Sequence, residues 1–393
     1  MFLRRAAGRP RWLADGCFSW AENESFSVGL FVFRRRRLEL RLRGRGEPKE
    51  EVGKILKKRD VISAVEALLV HGSVYAPVEK DDHFVFEEIE RASDLRLEAA
   101  QTVHSAKGAF FPSKDPLVRF DLSSGDWEEL PPAAPRFLFG LHPCDTWAMK
   151  AFDCWMRDGI PDDRYLRRRE HGVIIAVQCL KKCNEDSFCG SMGTYRIFEA
   201  DVRLTPMNNG YFVEFETEKA REVEEAWREI LLEATVEEER ELEEMKSGME
   251  DAFSGAEVDL ERLPDDMKAS FYAPWWRDMG KRCLDCGQCV AVCPTCTCFA
   301  MIDECNVSLT ECERSRRWDG CMFHSFAEVA GPHNFRSDRC ARIRHRMNRK
   351  GQWLNRRFGV PFCVGCGRCV TACPVGISPL KVFKRAQGGT ADV

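Results

Sequence analysis

Two stretches of this chain carry cysteines at a spacing that does chemistry. One reads CLDCGQCVAVCP (283–294) and the other CVGCGRCVTACP (363–374). Both are C-x2-C-x2-C-x3-C-P, the run that holds [4Fe–4S] clusters in bacterial ferredoxins. Three thiolates two residues apart can wrap one cubane on a tight loop. Gly287 and Gly367 remove a Cβ where backbone N–H groups must approach the sulfurs. The three-residue gap carries the fourth cysteine around a helical turn toward a different cluster, and the proline turns the chain after it. The expected ligand sets are therefore Cys283, Cys286, Cys289 and Cys373 for one cluster, and Cys363, Cys366, Cys369 and Cys293 for the other. Zinc is the competing ion. It favours paired C-x2-C units with four ligands per site, whereas each run here offers three close thiolates and a fourth before proline. Two clusters linked by exchanged ligands suit a one-electron relay.

Two further thiol groups are less explicit. Cys144 lies in HPCD (142–145), and Cys179, Cys183 and Cys189 lie in QCLKKCNEDSFCGSMG. Cys144 and Cys179 each follow an expected strand end, which places them on one edge of a sheet, where sites gather. The four could hold a third centre or be ordinary buried thiols; their spacing matches no standard motif. Cys296, Cys298 and Cys321 are expected to pack near the clusters, while Cys17, Cys154, Cys305, Cys312 and Cys340 suggest no partner. His142 and Asp145 beside Cys144 resemble a nucleophile with its base, but nothing in the sequence supplies an oxyanion site. No GxGxxG opens a helix and no GxxxxGK[ST] occurs, so a flavin, nicotinamide or nucleotide site on this chain is not supported.

The elements that must position these residues follow from periodicity. Ile55, Leu56, Ala64, Val65, Leu68 and Leu69 suit an amphipathic helix ending near Gly72. VYAPV (74–78) and HFVFEEI (83–89) read as strands. RFLFGLH (136–142) and GVIIAVQC (172–179) read as buried strands, with a helix from Thr146 to Arg157 between them. YFVEFET (211–217) alternates like a half-exposed strand. Residues 216–266 hold twenty Asp/Glu against six Lys/Arg and read as an exposed helix with one apolar stripe through Ala226, Trp227, Ile230, Leu231 and Leu232, followed by a linker. Residues 316–330 and the basic segment 336–359 have helical character, which predicts a helical, expanded ferredoxin module. The polar tail 387–393 reads as disordered. The fold class is thus α+β, with an α/β-type N-terminal domain and a C-terminal, mainly helical two-cluster ferredoxin domain. Its expected divisions are an Arg-rich extension (1–48), an α/β docking domain with an acidic helix (49–262) and the ferredoxin domain (263–387).

Composition narrows the classes. Of 393 residues 44% are hydrophobic and 31% charged, which excludes a wholly disordered chain. The longest apolar run, near residues 172–180, is too short to span a bilayer. Fourteen of the twenty cysteines lie between positions 283 and 373, and the start MFLRRAAGRPRWLADGC has no apolar signal segment. Clustered thiols then point to metal or redox chemistry in a reducing cytoplasm rather than to disulfides. Residues 1–48 contain eleven Arg and no Lys and read as a poorly ordered extension or a misplaced start. Residues 314–357 hold twelve Lys/Arg against three Asp/Glu. They could contact nucleic acid, but cations between two negatively charged clusters also lower the cost of that buried charge.

In order and spacing, HPCD (142–145), DDRYLRRRE (162–170), VQC with FCGSMGT (177–194), RCLDCGQCVAVCPTCTCF (282–299), RRWDGC (316–321) and FCVGCGRCVTACPVGI (362–377) resemble one family. SAKGAFFP (105–112) fits its pattern too. It is the iron–sulfur protein family shared by the β subunit of cytoplasmic sulfhydrogenase-type [NiFe] hydrogenases and the corresponding iron–sulfur component of anaerobic sulfite reductase. The resemblance spans about residues 50–380. It implies a two-[4Fe–4S] electron-transfer subunit in a cytoplasmic hetero-oligomer. A flavoprotein partner would carry FAD and exchange hydride with NAD(P)H; another partner would carry the terminal hydrogenase or reductase chemistry. Neither nucleic acid nor membrane is implied. Ser187 stands where members often have the first Cys of a CFC, with Cys183 nearby instead. The hydrogenase branch is the reading adopted, with the anaerobic sulfite reductase branch as the alternative within the family. A zinc-stabilised RNA-binding module and a Cys144 thiol enzyme are the rivals from other classes.

Overall fold

A computed structural model describes residues 53–99, 101–255, 257–331 and 333–390. The Arg-rich extension and Cys17 lie outside the described residues. Strand β1 (Lys54–Lys57) is followed by helix α1 (Val61–His71), strands β2 (Val74–Lys80) and β3 (His83–Ile89), the single turn α2 (Lys107–Phe110), and strands β4 (Lys114–Asp121), β5 (Trp127–Glu129) and β6 (Phe137–Leu141). Helices α3 (Pro143–Arg157) and α4 (Asp163–His171) lead to β7 (Val173–Val177), β8 (Val202–Met207) and β9 (Gly210–Phe215). Then come α5 (Ala220–Ala226), β10 (Leu232–Glu233) and α6 (Val236–Ala252).

Eight of these strands form one sheet in the order β10-β1-β9-β8-β7-β6-β2-β3. The pairs β2–β6, β6–β7 and β7–β8 are parallel and the flanking pairs are antiparallel. Every residue of β6 (FLFGL) and β7 (VIIAV) is buried. Continuous apolar runs of this kind belong to parallel strands covered on both faces. The side chains alternate as the pleat requires, except at Gly140, where a register shift brings Leu141 to the face of Leu138. Phe137, Phe139, Val173 and Ile175 pack with α1, α5 and Trp227 on one face. Leu138, Leu141, Ile174 and Ala176 pack with Met149, Phe152, Tyr165 and Phe110 on the other.

The remaining elements are α7 (Leu263–Ala269), α8 (Trp275–Arg282), α9 (Gln288–Ala291), the hairpin β11 (Phe299–Cys305) and β12 (Glu311–Trp318), α10 (Arg339–Asn348), a π-helical turn (Arg349–Trp353), α11 (Leu354–Phe358), α12 (Arg368–Thr371) and α13 (Pro379–Ala386). The hairpin completes a second, antiparallel sheet, β11-β12-β4-β5. A buried ionic knot holds that sheet to α4. The Asp115 carboxylate accepts from Arg168 at 2.6 and 3.0 Å, from Arg164 at 3.0 Å and from Arg316 at 2.9 Å. Burial works to raise the Asp115 pKa, but the Arg168 and Arg164 bonds win and hold it well below the usual carboxylate range.

Several expectations need correction. The helix expected from Ile55 starts only at Val61, because residues 54–57 pair with β9 and β10. Ile55 and Leu56 point to opposite faces, Ile55 to Phe212 and Leu242 and Leu56 to the α1 core. The acidic stretch is two helices split by β10; Trp227 is wholly buried and its indole donates to the Ala64 carbonyl at 2.9 Å. Arg316–Trp318 end strand β12, where pairing with β4 and β11 overrides any helical tendency. Cys305 and Cys312 face each other across the β11–β12 hairpin and are joined as a disulfide. The tail is anchored at its start, since Gln387 exchanges bonds of 3.0 and 2.8 Å with the Asp259 backbone.

Candidate metal centres

Each cysteine run bends through a glycine that caps a short helix. Gly287 (φ +73°) precedes α9 and Gly367 (φ +78°) precedes α12. Both sit in the left-handed region that favours glycine. A Cβ at Gly287 would lie 2.2 Å from the Phe323 ring, and one at Gly367 would lie 2.8 Å from the Asp186 backbone. The glycines therefore answer to close neighbours as well as to the turn itself.

The two runs then interleave. One cavity, about 500 Å³ in empty volume, is lined by Cys283, Cys286, Cys289 and Cys373. A second, about 360 Å³, is lined by Cys293, Cys363, Cys366 and Cys369. Each takes three cysteines from one run and the fourth from the other. All eight are free thiols; Cys286 is exposed, and the rest are buried or half-buried. The donor set, four thiols converging per cavity, fits an iron–sulfur cubane.

The basic segment faces inward. Arg346 on α10 lines both cavities and is buried; its Nη2 donates to the Cys289 carbonyl at 3.0 Å. Lys350, one helical turn on in the π-helical segment, lines the second cavity and donates to Thr295 at 2.7 and 3.0 Å. Such π turns recur at functional sites. Burial pushes the Cys289 and Cys366 thiols up to about 12, opposed by Arg346 and Arg368 respectively. Cys293 differs: the Cys296 thiol donates to it, which holds it well below the ordinary thiol value despite burial. Cys321 is buried in the core cluster that Cys296 also joins.

The third thiol group also converges. The loop 178–201 leaves β7 and returns over the second run. Its Phe188 N–H donates to the Gly365 carbonyl at 2.8 Å, the Ser187 hydroxyl to the Cys366 carbonyl at 3.3 Å, and the Thr194 hydroxyl to the Val364 carbonyl at 2.7 Å. Cys144, Cys179, Cys183 and Cys189 all line one cavity at the carboxyl ends of β6 and β7, and Cys366 forms part of its wall. His142 Nδ1 lies 3.8 Å from Cys183 Sγ. The Cys179 thiol donates to Cys183, which favours the thiolate at Cys183 and pushes Cys179 up. Burial, and then Asp145, push the Cys144 thiol well above the ordinary thiol value, which makes it a weak nucleophile. Arg368, buried, pairs with Asp145 at 3.0 Å and so ties the second run to the start of α3.

Sequence reasoning named the eight ferredoxin-run cysteines and the four of the third group. It did not single out Arg346, Lys350, Arg368 or the turn of His142 toward Cys183. The sequence did mark residues 314–357 as a basic segment suited to offsetting cluster charge, and the four-residue spacing of Arg346 and Lys350 puts both on one helical face.

An interleaved pair of four-cysteine cavities beside a mixed helix-and-sheet domain defines the class of iron–sulfur electron-transfer proteins. Residues 282–377 match the 4Fe-4S dicluster domain family. The chain is 32% identical over 319 residues to sulfhydrogenase 2 subunit beta of Pyrococcus furiosus, covering 81% of this chain and 93% of that relative. No solved structure matches. The chain belongs to the family of sulfhydrogenase β-type iron–sulfur subunits. Among the described residues no helix is long and apolar enough to cross a membrane.

Proposed function

We propose that this chain relays electrons, through two [4Fe–4S] clusters, between a flavoprotein subunit that carries FAD and exchanges hydride with NAD(P)H and a [NiFe] hydrogenase module, in a cytoplasmic hetero-oligomer. Cys283, Cys286, Cys289 and Cys373 hold one cluster, and Cys293, Cys363, Cys366 and Cys369 hold the other. When bound, the clusters supply one-electron chemistry at low potential. The chain's own residues hold them close together, exclude water and set their charge environment. The carrying observation is the exchange of the fourth cysteine between the two cavities. The exposed Cys286 makes the first cavity the natural face for a redox partner. The hydrogenase reading rests on the name of the relative, which is a sulfhydrogenase subunit. The burial of Arg342, Arg346 and Lys350 weighs against an RNA-binding use of the basic segment.

Anaerobic isolation of the native complex tests this reading. Iron, sulfide, flavin and nickel should co-purify with the chain, and NAD(P)H should bleach its iron–sulfur absorption only when the flavoprotein is present. Sirohaem in place of nickel would move the chain to the sulfite reductase branch. A chain isolated alone and without sulfide would overturn the proposal.

A further inference from the structure

We propose that His142, Cys179 and Cys183, completed by Cys144 or Cys189, form a separate site for a single tetrahedral zinc ion. The ion would staple the loop that seats the second ferredoxin run. Three observations carry this. First, the ligand atoms of His142, Cys179 and Cys183 all lie within 4.8 Å of one another, and no other trio of His, Cys or acidic groups among the described residues does so. Zinc–sulfur and zinc–nitrogen bonds of about 2.3 and 2.0 Å place tetrahedral ligands roughly 3.5–3.8 Å apart, so these side chains need only small shifts to close on one ion. The ferredoxin-run thiols stand farther apart as trios, as a larger guest requires.

Second, Cys144 and Cys189 line the same cavity as Cys179 and Cys183, so a further thiol is at hand to complete a four-ligand shell. Third, the donors mix imidazole nitrogen with thiolate sulfur, the set that suits zinc. The donors come from separate parts of the chain: His142 and Cys144 follow β6, Cys179 follows β7, and Cys183 and Cys189 lie on the loop itself. An ion there would fasten the loop to the sheet edge. The loop in turn holds the second run through Phe188, Ser187 and Thr194. Gln178 secures the loop's two ends, its amide donating to the Cys179 carbonyl at 3.0 Å and the Tyr195 carbonyl at 2.7 Å. The role is structural, since a closed four-ligand shell leaves no open position for substrate.

The test is metal analysis of the full chain, purified anaerobically, with zinc-edge X-ray absorption on the same sample. The expected result is about one zinc per chain in a shell of three sulfurs and one nitrogen, alongside about eight irons and eight sulfides. Cys183→Ser should lower zinc at least tenfold, with any iron lost coming from the second run that the loop seats. Should that variant fail to fold, the absorption spectrum of the unaltered chain still decides. Absence of zinc would overturn the proposal. So would zinc in an all-sulfur shell with iron correspondingly depleted, which marks mismetallated ferredoxin runs. About twelve irons without zinc would also overturn it and place a further iron–sulfur centre in this cavity.

Discussion

Removing the charge of Arg346 should lower the reduction potentials of both proposed clusters together. Its guanidinium lines both cavities, it is 3% exposed, and it bonds the Cys289 carbonyl at 3.0 Å. Reduction adds one negative charge, so a nearby cation favours the reduced form. At an effective dielectric of about 20 and a separation of about 7 Å, a unit charge is worth ~2.4 kcal/mol. A one-electron couple shifts ~59 mV for each tenfold, or ~1.4 kcal/mol, so the expected fall is about 100 mV. Arg346→Gln keeps hydrogen-bond donors and loses the charge; Arg346→Lys keeps the charge and should stay near the unaltered values. The assay is a redox titration followed by electron paramagnetic resonance, with iron counted on the same samples. If both potentials of a fully loaded Arg346→Gln chain stay within ~20 mV of the original, the electrostatic argument is wrong. If only one moves, Arg346 does not serve both sites.

Other perturbations follow from the same geometry. Gly287→Ala forces a Cβ into the Phe323 ring at 2.2 Å in a left-handed backbone and should cost the chain iron. Gly359→Ala, at φ +67° with nothing within 4 Å, should cost only about 1–2 kcal/mol and no iron; equal iron in the two variants would refute the steric claim. Asp115→Asn leaves the buried Arg168 and Arg316 without their carboxylate and should lower stability by about 3–5 kcal/mol in anaerobic urea titrations. A loss below about 1 kcal/mol would contradict that role. Burial, and then Arg336 and Arg349, lower the His345 pKa to about 4. The unfolded chain, titrating near ~6.5, then binds more protons than the fold, so this contribution is complete above pH ~6.5 and is lost as pH falls toward ~4. His345→Phe should flatten the pH dependence of thermal stability in that window. An unchanged slope would count against the shift.

How far the sequence could be read depended on whether a feature was local. The cysteine runs fix their own loops, so their cysteine spacing is visible in twelve residues each. Strands β6 and β7 announce themselves because burial on both faces demands unbroken apolar runs. What escaped was set by distant partners. Lys54–Lys57 is a strand only because β9 and β10 flank it, and Arg316–Trp318 only because β4 and β11 pair with it. Asp115 and Arg316 meet across 201 positions of sequence, a contact that no spacing rule encodes. The third thiol group was noticed from strand ends alone. Its irregular spacing hid the approach of His142 to Cys183, which depends on the return path of the loop after β7.

The most direct measurement is the exchange of ligands between the runs. Cys373→Ser, purified anaerobically, should lose the cluster served by Cys283, Cys286 and Cys289, or convert it to a three-iron form, while the cluster served by Cys363, Cys366 and Cys369 persists. Cys293→Ser should do the reverse. If Cys373→Ser instead damages the centre built from its own run, or if neither variant changes the iron and sulfide content, the interleaved relay described here is contradicted.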